Sequence, residues 1–441
     1  MLNGYSHSVR LDWDLCRGCT NCIKNCPTEA IRVRDGKAHI NDDRCIDCGE
    51  CVRTCPYHAK IAITDYMDDM LRFKYRIALP APTLYGQFKK LSRLDELLTA
   101  LREVGFDDVF DVARAADAIT LKSQDYIETH PMKKPVISSA CPAVMRLIQV
   151  RFPELLDHVL PVIPPNETAA RIAKEEFSER HGVPMEEIGA FFITPCAAKM
   201  TAKINPIGFE VSAVDGCLSI LDLFGALEQH IGKEDAPFQE EAHMATKYGI
   251  GWALTGGEAL AMKEDGYLAV DGIQNVIAVL EEIENGKFSD LDFFEGLSCV
   301  GGCVGGPLVF ENKYVAKNRI RQLTEEMPEP NAYPEDAARW AQRGDLVFTK
   351  ELEPKSIMRL DNNMAEAIKK MARMEALIEE LPGLDCGSCG APTCWALAED
   401  IVQGQATELD CIFKLRDKLK VLAQELVTLA DSEPFEGKEL S

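Results

Sequence analysis

The sequence predicts an α/β core of parallel sheets covered by helices, with a small cysteine-rich unit at each end. Two observations predict it. Between residues 75 and 195 short apolar runs alternate with amphipathic stretches, the pattern of strand–helix–strand crossovers. Sixteen of the 17 cysteines fall into regularly spaced sets, eight of them before residue 56 and four after residue 385. The 441 residues are enough for two to four domains. The pattern divides them into 1–66, a core over 67–350, a charged helical connector over 351–383, and 384–441.

Charge removes several functions. The net charge of −23 argues against nucleic-acid or anionic-membrane binding and reads as solubility. There is no signal peptide, no twin-arginine stretch and no apolar run long enough to span a bilayer, which predicts a cytoplasmic protein. Seventeen cysteines in that compartment point to metal rather than to disulfides. Cys217 falls outside every set and reads as a small buried hydrophobe.

The first unit carries Cys16-x2-Cys19-x2-Cys22-x3-Cys26-Pro27 and then Cys45-x2-Cys48-x2-Cys51-x3-Cys55-Pro56. Each is the bacterial two-cluster ferredoxin run, in which the fourth cysteine ligates the other cluster. Cys16, Cys19, Cys22 and Cys55 are therefore assigned to one [4Fe-4S] cluster, and Cys45, Cys48, Cys51 and Cys26 to a second. A zinc knuckle is the rival reading; the duplication favours iron–sulfur and an α+β, ferredoxin-like unit that moves single electrons.

In the core, Tyr75–Pro80, 134–141 and 187–195 read as buried strands and 166–180 as an amphipathic helix, while Ala81-Pro82-Thr83 turns into a helical segment. Open α/β sheets bind ligands at the carboxyl ends of their strands. Cys141 and Cys196 close two such strands and are expected to meet Cys299 and Cys303 of Ser298-Cys299-Val300-Gly301-Gly302-Cys303 in one crevice. If the last stretch is helical, its two thiols share a face, with Cβ atoms about 5–6 Å apart. Gly301 and Gly302 let backbone approach a cluster, and Gly305, Gly306 and Pro307 bend the chain away.

The stretches SSACP, TPCAAK and SCVGGCVGGP resemble, in order, the three signature motifs of the [FeFe] hydrogenases. The resemblance covers about residues 1–350 and implies a core of two lobes around an H-cluster. Cys141, Cys196, Cys299 and Cys303 would then hold a [4Fe-4S] cluster, with Cys303 bridging to a di-iron centre that carries CO, cyanide and an azadithiolate. Lys199 matches the family lysine that bonds a cyanide; Asn166 stands where relatives use Gln toward the same ligands, and Ala81, Pro82 and Thr83 line the other cyanide. The implied reaction is reversible oxidation of H2 to two protons and two electrons, on a site installed by H-cluster maturation proteins.

The sequence departs from the most active relatives. Their proton-carrying cysteine is Ala140 here, their relay glutamate is Ala202, and two methionines beside the di-iron centre are Thr194 and Leu297. Alanine at the first position resembles the sensory groups of the family, and no PAS domain is visible. Glu258 introduces a carboxylate after a Gly pair, and Glu295 matches a family relay glutamate. The two are read as an alternative proton path, against the plainer reading of Glu258 as a helix-start carboxylate favoured by the dipole.

Near the C-terminus, Cys386-x2-Cys389-x4-Cys394-x16-Cys411 resembles the small [4Fe-4S] domain of several redox subunits, including the iron–sulfur subunit of Rnf-type complexes, with zinc as the alternative. The whole chain would thus hold an H-cluster and three further [4Fe-4S] clusters. Whether the last is an outlet, an inlet or a brace stays open. After it, Ile412, Leu415, Leu419, Leu422, Leu426 and Leu429 form a heptad stripe, which either packs on its own domain or pairs with another helix, as in a homodimer through 412–430. The readings for the whole are a slow hydrogenase serving as an H2 sensor toward a kinase or phosphatase, with a redox partner such as ferredoxin, or an electron-transfer subunit lacking the di-iron half.

Overall fold

The computed structural model describes residues 7–232, 245–263, 266–330, 332–355, 360–361 and 363–431. Of the predicted units, residues 1–6, 233–244, 264–265, 331, 356–359, 362 and 432–441 lie outside the described residues.

The first unit closes on itself. Strand Val9–Leu11 pairs antiparallel with Lys60–Ala62, so its two ends meet. Ile31–Arg34 and Lys37–Ile40 form a hairpin turned by Asp35-Gly36, both at positive φ, the geometry such a two-residue turn requires. Short helices Asn21–Lys24 and Glu50–Thr54 carry Cys22 and Cys51 inward.

The core has two lobes, each built on a parallel sheet. In the first, the strand order is Asp108–Val109, Tyr75–Pro80, Ile188–Thr194, Gly216–Ser219. All seven residues of Ile188–Thr194 are buried, as a strand covered on both faces must be. Helices Val112–Thr129 and Pro165–His181 pack on one face, Leu94–Val104 and Ile220–Glu228 on the other. The second sheet runs Tyr267–Asp271, Phe293–Leu297, Val136–Ile137. Helices Pro142–Arg151 and Ile273–Glu284 cover one of its faces, and Gly257–Met262 packs into the cluster on the other side.

The connector contributes helix Met364–Glu380, which packs on Cys394–Val402 to make the small C-terminal core. Helix Ile412–Asp431 then leaves that core. No helix among the described residues is long and apolar enough to cross a membrane.

Candidate active site between the two lobes

Each functional side chain follows the carboxyl end of a strand or opens a helix. Strand Tyr75–Pro80 runs into Ala81 and the single-turn helix Pro82–Gly86. Strand Ile188–Thr194 is followed by Cys196, which caps helix Ala197–Ile204 and so aims Lys199 into the space between lobes. Strand Val136–Ile137 leads to Ser138, Ala140 and Cys141, the last capping helix Pro142–Arg151. Strand Phe293–Leu297 carries Glu295 and ends before Ser298 and Cys299.

One expectation needs correction. The Cys299–Cys303 stretch is not a helix. Gly301 and Gly302 sit at φ +89° and +91°, outside the right-handed helical region, so residues 299–302 turn and Cys303–Gly305 makes one 3-10 turn. The glycines serve close backbone contact instead. A Cβ on Gly302 would stand 2.7 Å from the Ala253 carbonyl oxygen, and one on Gly306 2.3 Å from that of Pro195. The Cys303 turn is thereby pressed against the residue preceding Cys196.

The result is a single pocket. Cys141, Cys196, Cys299 and Cys303 all line it, with Lys199 and Asn166. Ala81, Pro82 and Thr83 form one side; Ala140, Glu258 and Glu295 form another. Every core site residue anticipated from sequence is therefore brought to one place. Burial pushes the Cys196 thiol up to about 12 and raises those of Cys299 and Cys303. Buried thiols ionise when a metal supplies the positive charge.

The polar groups are arranged unevenly. Lys199 Nζ donates to Asn166 Oδ1 at 2.7 Å and to the Ala140 carbonyl at 3.1 Å, both neutral acceptors. Ser138 Oγ lies 2.5 Å from Glu258 Oε2 and accepts from the Ala140 amide at 3.2 Å. The Glu295 carboxylate accepts from the amides of Gly256 at 2.9 Å and Ala259 at 3.0 Å, which pins the start of helix Gly257–Met262 and holds Glu258 inward. Burial, with Glu295 beside it, holds Glu258 above the ordinary carboxylate range, and burial raises Glu295 as well.

Two residues escaped the reading of the sequence. Ser138 links Glu258 to the backbone at Ala140, and its signal was its place inside SSACP. Arg53, from the first unit, reaches Cys299 Sγ at 3.5 Å, and nothing in its spacing announced this. Thr194, already singled out in the sequence, accepts from the Cys196 amide at 3.1 Å and so fixes the cysteine turn.

The other cysteine sets are also gathered. Cys16, Cys19, Cys22 and Cys55 line one small cavity, and Cys26, Cys45, Cys48 and Cys51 another. Cys389, Cys394 and Cys411 share the C-terminal core, and Cys386 is close enough to raise the Cys389 thiol, whose main perturbation is burial. Cys217 is 1% exposed within strand Gly216–Ser219.

The chain is similar to the periplasmic [Fe] hydrogenase large subunit of Nitratidesulfovibrio vulgaris, 28% identical over 367 residues, covering 68% of this chain and 86% of that one. It is similar to iron hydrogenase 1 of Clostridium pasteurianum at 25% identity, covering 66% of this chain and 62% of that one. The [FeFe]-hydrogenase HydA1 structure from Chlamydomonas reinhardtii aligns at 16% identity and a TM-score of 0.47, covering 66% of this chain and 97% of that one. A 4Fe-4S dicluster domain matches residues 8–56, and the FeS domain matches 381–413, consistent with iron–sulfur cofactors in both terminal units. The model for the iron only hydrogenase large subunit, C-terminal domain, matches 74–266 and 259–307, more than half of the 441 residues. The chain belongs to the iron-only, or [FeFe], hydrogenase family.

Proposed function

We propose that this chain oxidises and forms H2 at an H-cluster, slowly, and that it serves as an H2 sensor. One observation carries the proposal: four cysteines and a lysine without a carboxylate partner converge on one buried pocket that keeps unsatisfied polar atoms. Thr83 Oγ1 and Ser298 Oγ are buried there, and neither has a hydrogen-bond partner. Lys199 forms no ion pair among the described residues, and a buried ammonium needs an anion. A cyanide-bearing cluster would answer both. Cys141, Cys196, Cys299 and Cys303 would hold it; when bound, the group would supply the site at which H2 is split or made.

The chain's own residues then bind and move protons. Lys199, oriented by Asn166, would hold an anionic ligand from one side, and Thr83 lines the pocket beside Ala81 and Pro82. Ala140 has no proton to give, so the route shifts to Glu258 through Ser138, with Glu295 positioning Glu258. A carboxyl group held above its ordinary range can exchange a proton near neutral pH.

The heptad stripe gives the proposal an assembly. All six of its apolar residues are at least 40% exposed, from Leu415 at 40% to Leu429 at 69%, so the helix does not pack them on its own domain. Pairing with a second copy in antiparallel register matches Ile412 with Leu429, Leu415 with Leu426 and Leu419 with Leu422. It also brings Lys414, Arg416, Lys418 and Lys420 of one helix toward Glu425 of the other, whereas a parallel pair would stack the cations. Cytoplasmic residence, maturation proteins and a signalling kinase or phosphatase belong to the same proposal.

The test is turnover. A positioned proton carrier is worth about 10²- to 10⁴-fold, and two such groups are alanine here. H2 uptake with a viologen dye should run slower than in cysteine-bearing relatives by about that range. A rate equal to theirs would contradict the sensory assignment.

A further inference from the structure

We propose that the C-terminal unit is the outer station of an electron relay, joined in series through the first ferredoxin-type cysteine set and then the second to the core pocket. The proposal rests on the reading of all four cysteine sets as iron–sulfur sites. It assigns the C-terminal cluster a direction and a place, which its spacing alone left open.

The outer junction is a close dock. The Val33 amide donates to the Gly390 carbonyl at 2.8 Å, and Arg34 Nη1 donates to the Cys389 carbonyl at 2.8 Å. A Cβ on Gly390 would lie 1.9 Å from the Val33 oxygen, so only glycine permits this approach. Gly387 lies against Thr20, Ile23 and Lys24, the residues that flank Cys19 and Cys22 of the first set. The loop that carries Cys386 and Cys389 is thus laid on the segment that carries two cysteines of its neighbour.

Ionic contacts lock the dock. Asp400 accepts from Arg32 Nε at 2.8 Å and from Arg34 Nη2 at 2.6 Å; Glu399 pairs with Arg44. Both carboxylates are buried and stand on helix Cys394–Val402, which begins at a cysteine of the set. Buried charges hold one geometry, since leaving one partner unpaired is costly. Electron tunnelling falls steeply with distance, and a fixed spacing keeps it uniform.

The inner junction is equally close. Cys48 of the second set lines the core pocket beside Cys141 and Cys196. Arg53 spans the gap, with Nη2 donating to the Cys48 carbonyl at 3.2 Å and Nη1 reaching Cys299 Sγ at 3.5 Å. Leu384, two residues before Cys386, is 59% exposed. A one-electron carrier protein meets the chain there.

The bookkeeping is simple: each H2 oxidised gives two protons to the pocket's proton path and two electrons. The electrons pass singly, each step oxidising one cluster and reducing the next, until the carrier takes them.

The experiment uses full-length, iron-loaded protein reduced with dithionite and examined by EPR, together with Cys386→Ala and Arg34→Met. In the wild type, the C-terminal cluster signal should be broadened by magnetic coupling to the first set. Cys386→Ala should lose about four iron per chain and that coupling. Arg34→Met should keep its iron but weaken the coupling, and slow H2-driven reduction of an added two-cluster ferredoxin at least tenfold. A fully loaded wild type with a magnetically isolated C-terminal signal, or an Arg34→Met variant with full ferredoxin reduction and coupling, would make the unit a brace and overturn the relay. Retention of all iron by Cys386→Ala would overturn the cluster reading itself, and the relay with it.

Discussion

The two walls of the core pocket come from similar parallel sheets and do different work. The wall from the four-stranded lobe supplies Thr83, Asn166, Cys196 and Lys199, hydroxyl, amide, thiol and cation. The wall from the three-stranded lobe supplies Cys141, Cys299 and Cys303, together with Glu258 and Glu295. In the proposed reading the first wall offers a cation to an anionic ligand and one thiol to the cluster, and the second offers the other three thiols and two carboxylates. Lys199 stands on the first wall, whereas on the second Ala140 offers no titratable proton and Ser138 with Glu258 stands behind it.

The sharpest way to separate the walls is to disable the second. Glu258→Gln keeps the hydrogen-bonding shape but removes an exchangeable carboxyl proton. Turnover should fall by about 10²- to 10⁴-fold, with infrared bands of the resting site nearly unchanged. Full activity would mean that protons travel elsewhere. Ser138→Ala should move turnover in the same direction by a smaller factor, since water can replace a hydroxyl.

Disabling the first wall should act on occupancy before rate. Lys199→Met removes the cation but keeps length. Loss of an outer contact to a bound metal group typically costs about 10- to 100-fold in its affinity. Iron analysis should therefore show the [4Fe-4S] content intact and the di-iron content reduced. Equal di-iron retention would place the anion contact on other residues.

The smallest effect on chemistry is expected far from both walls. Changing Leu419 and Leu422 to Asp should halve the mass seen in sedimentation and leave H2 turnover as it was. An unchanged mass would remove the antiparallel pair while leaving the pocket untouched.

The parts of this arrangement that were legible share a cause. Metal ligation demands thiols at short fixed spacings, so the ferredoxin-type runs, Cys386 to Cys411 and the Cys299/Cys303 pair stood out, whereas Cys141 and Cys196 were read from their places at the ends of apolar runs and from the motif resemblance. Burial on both faces leaves an apolar run, which marked Ile188–Thr194 and the buried end of Tyr75–Pro80, whereas the strand expected over 134–141 is reduced to Val136–Ile137. The Cys299–Cys303 conformation was misread because a spacing of four fits a helix, whereas the adjacent glycines at positive φ exclude one. Ser138 and Glu258 lie 120 positions apart, and Arg34 and Asp400 lie 366 apart. Pairs so distant leave no local pattern. Only the folded chain brings them together.

The central claim is that the pocket between the walls receives a di-iron group. Infrared spectroscopy after anaerobic maturation tests it most directly. The account predicts bands from bound CO and cyanide that shift under H2 and are absent from Cys303→Ala. Fully matured, iron-replete wild-type protein without such bands would contradict it and leave the chain an iron–sulfur electron carrier.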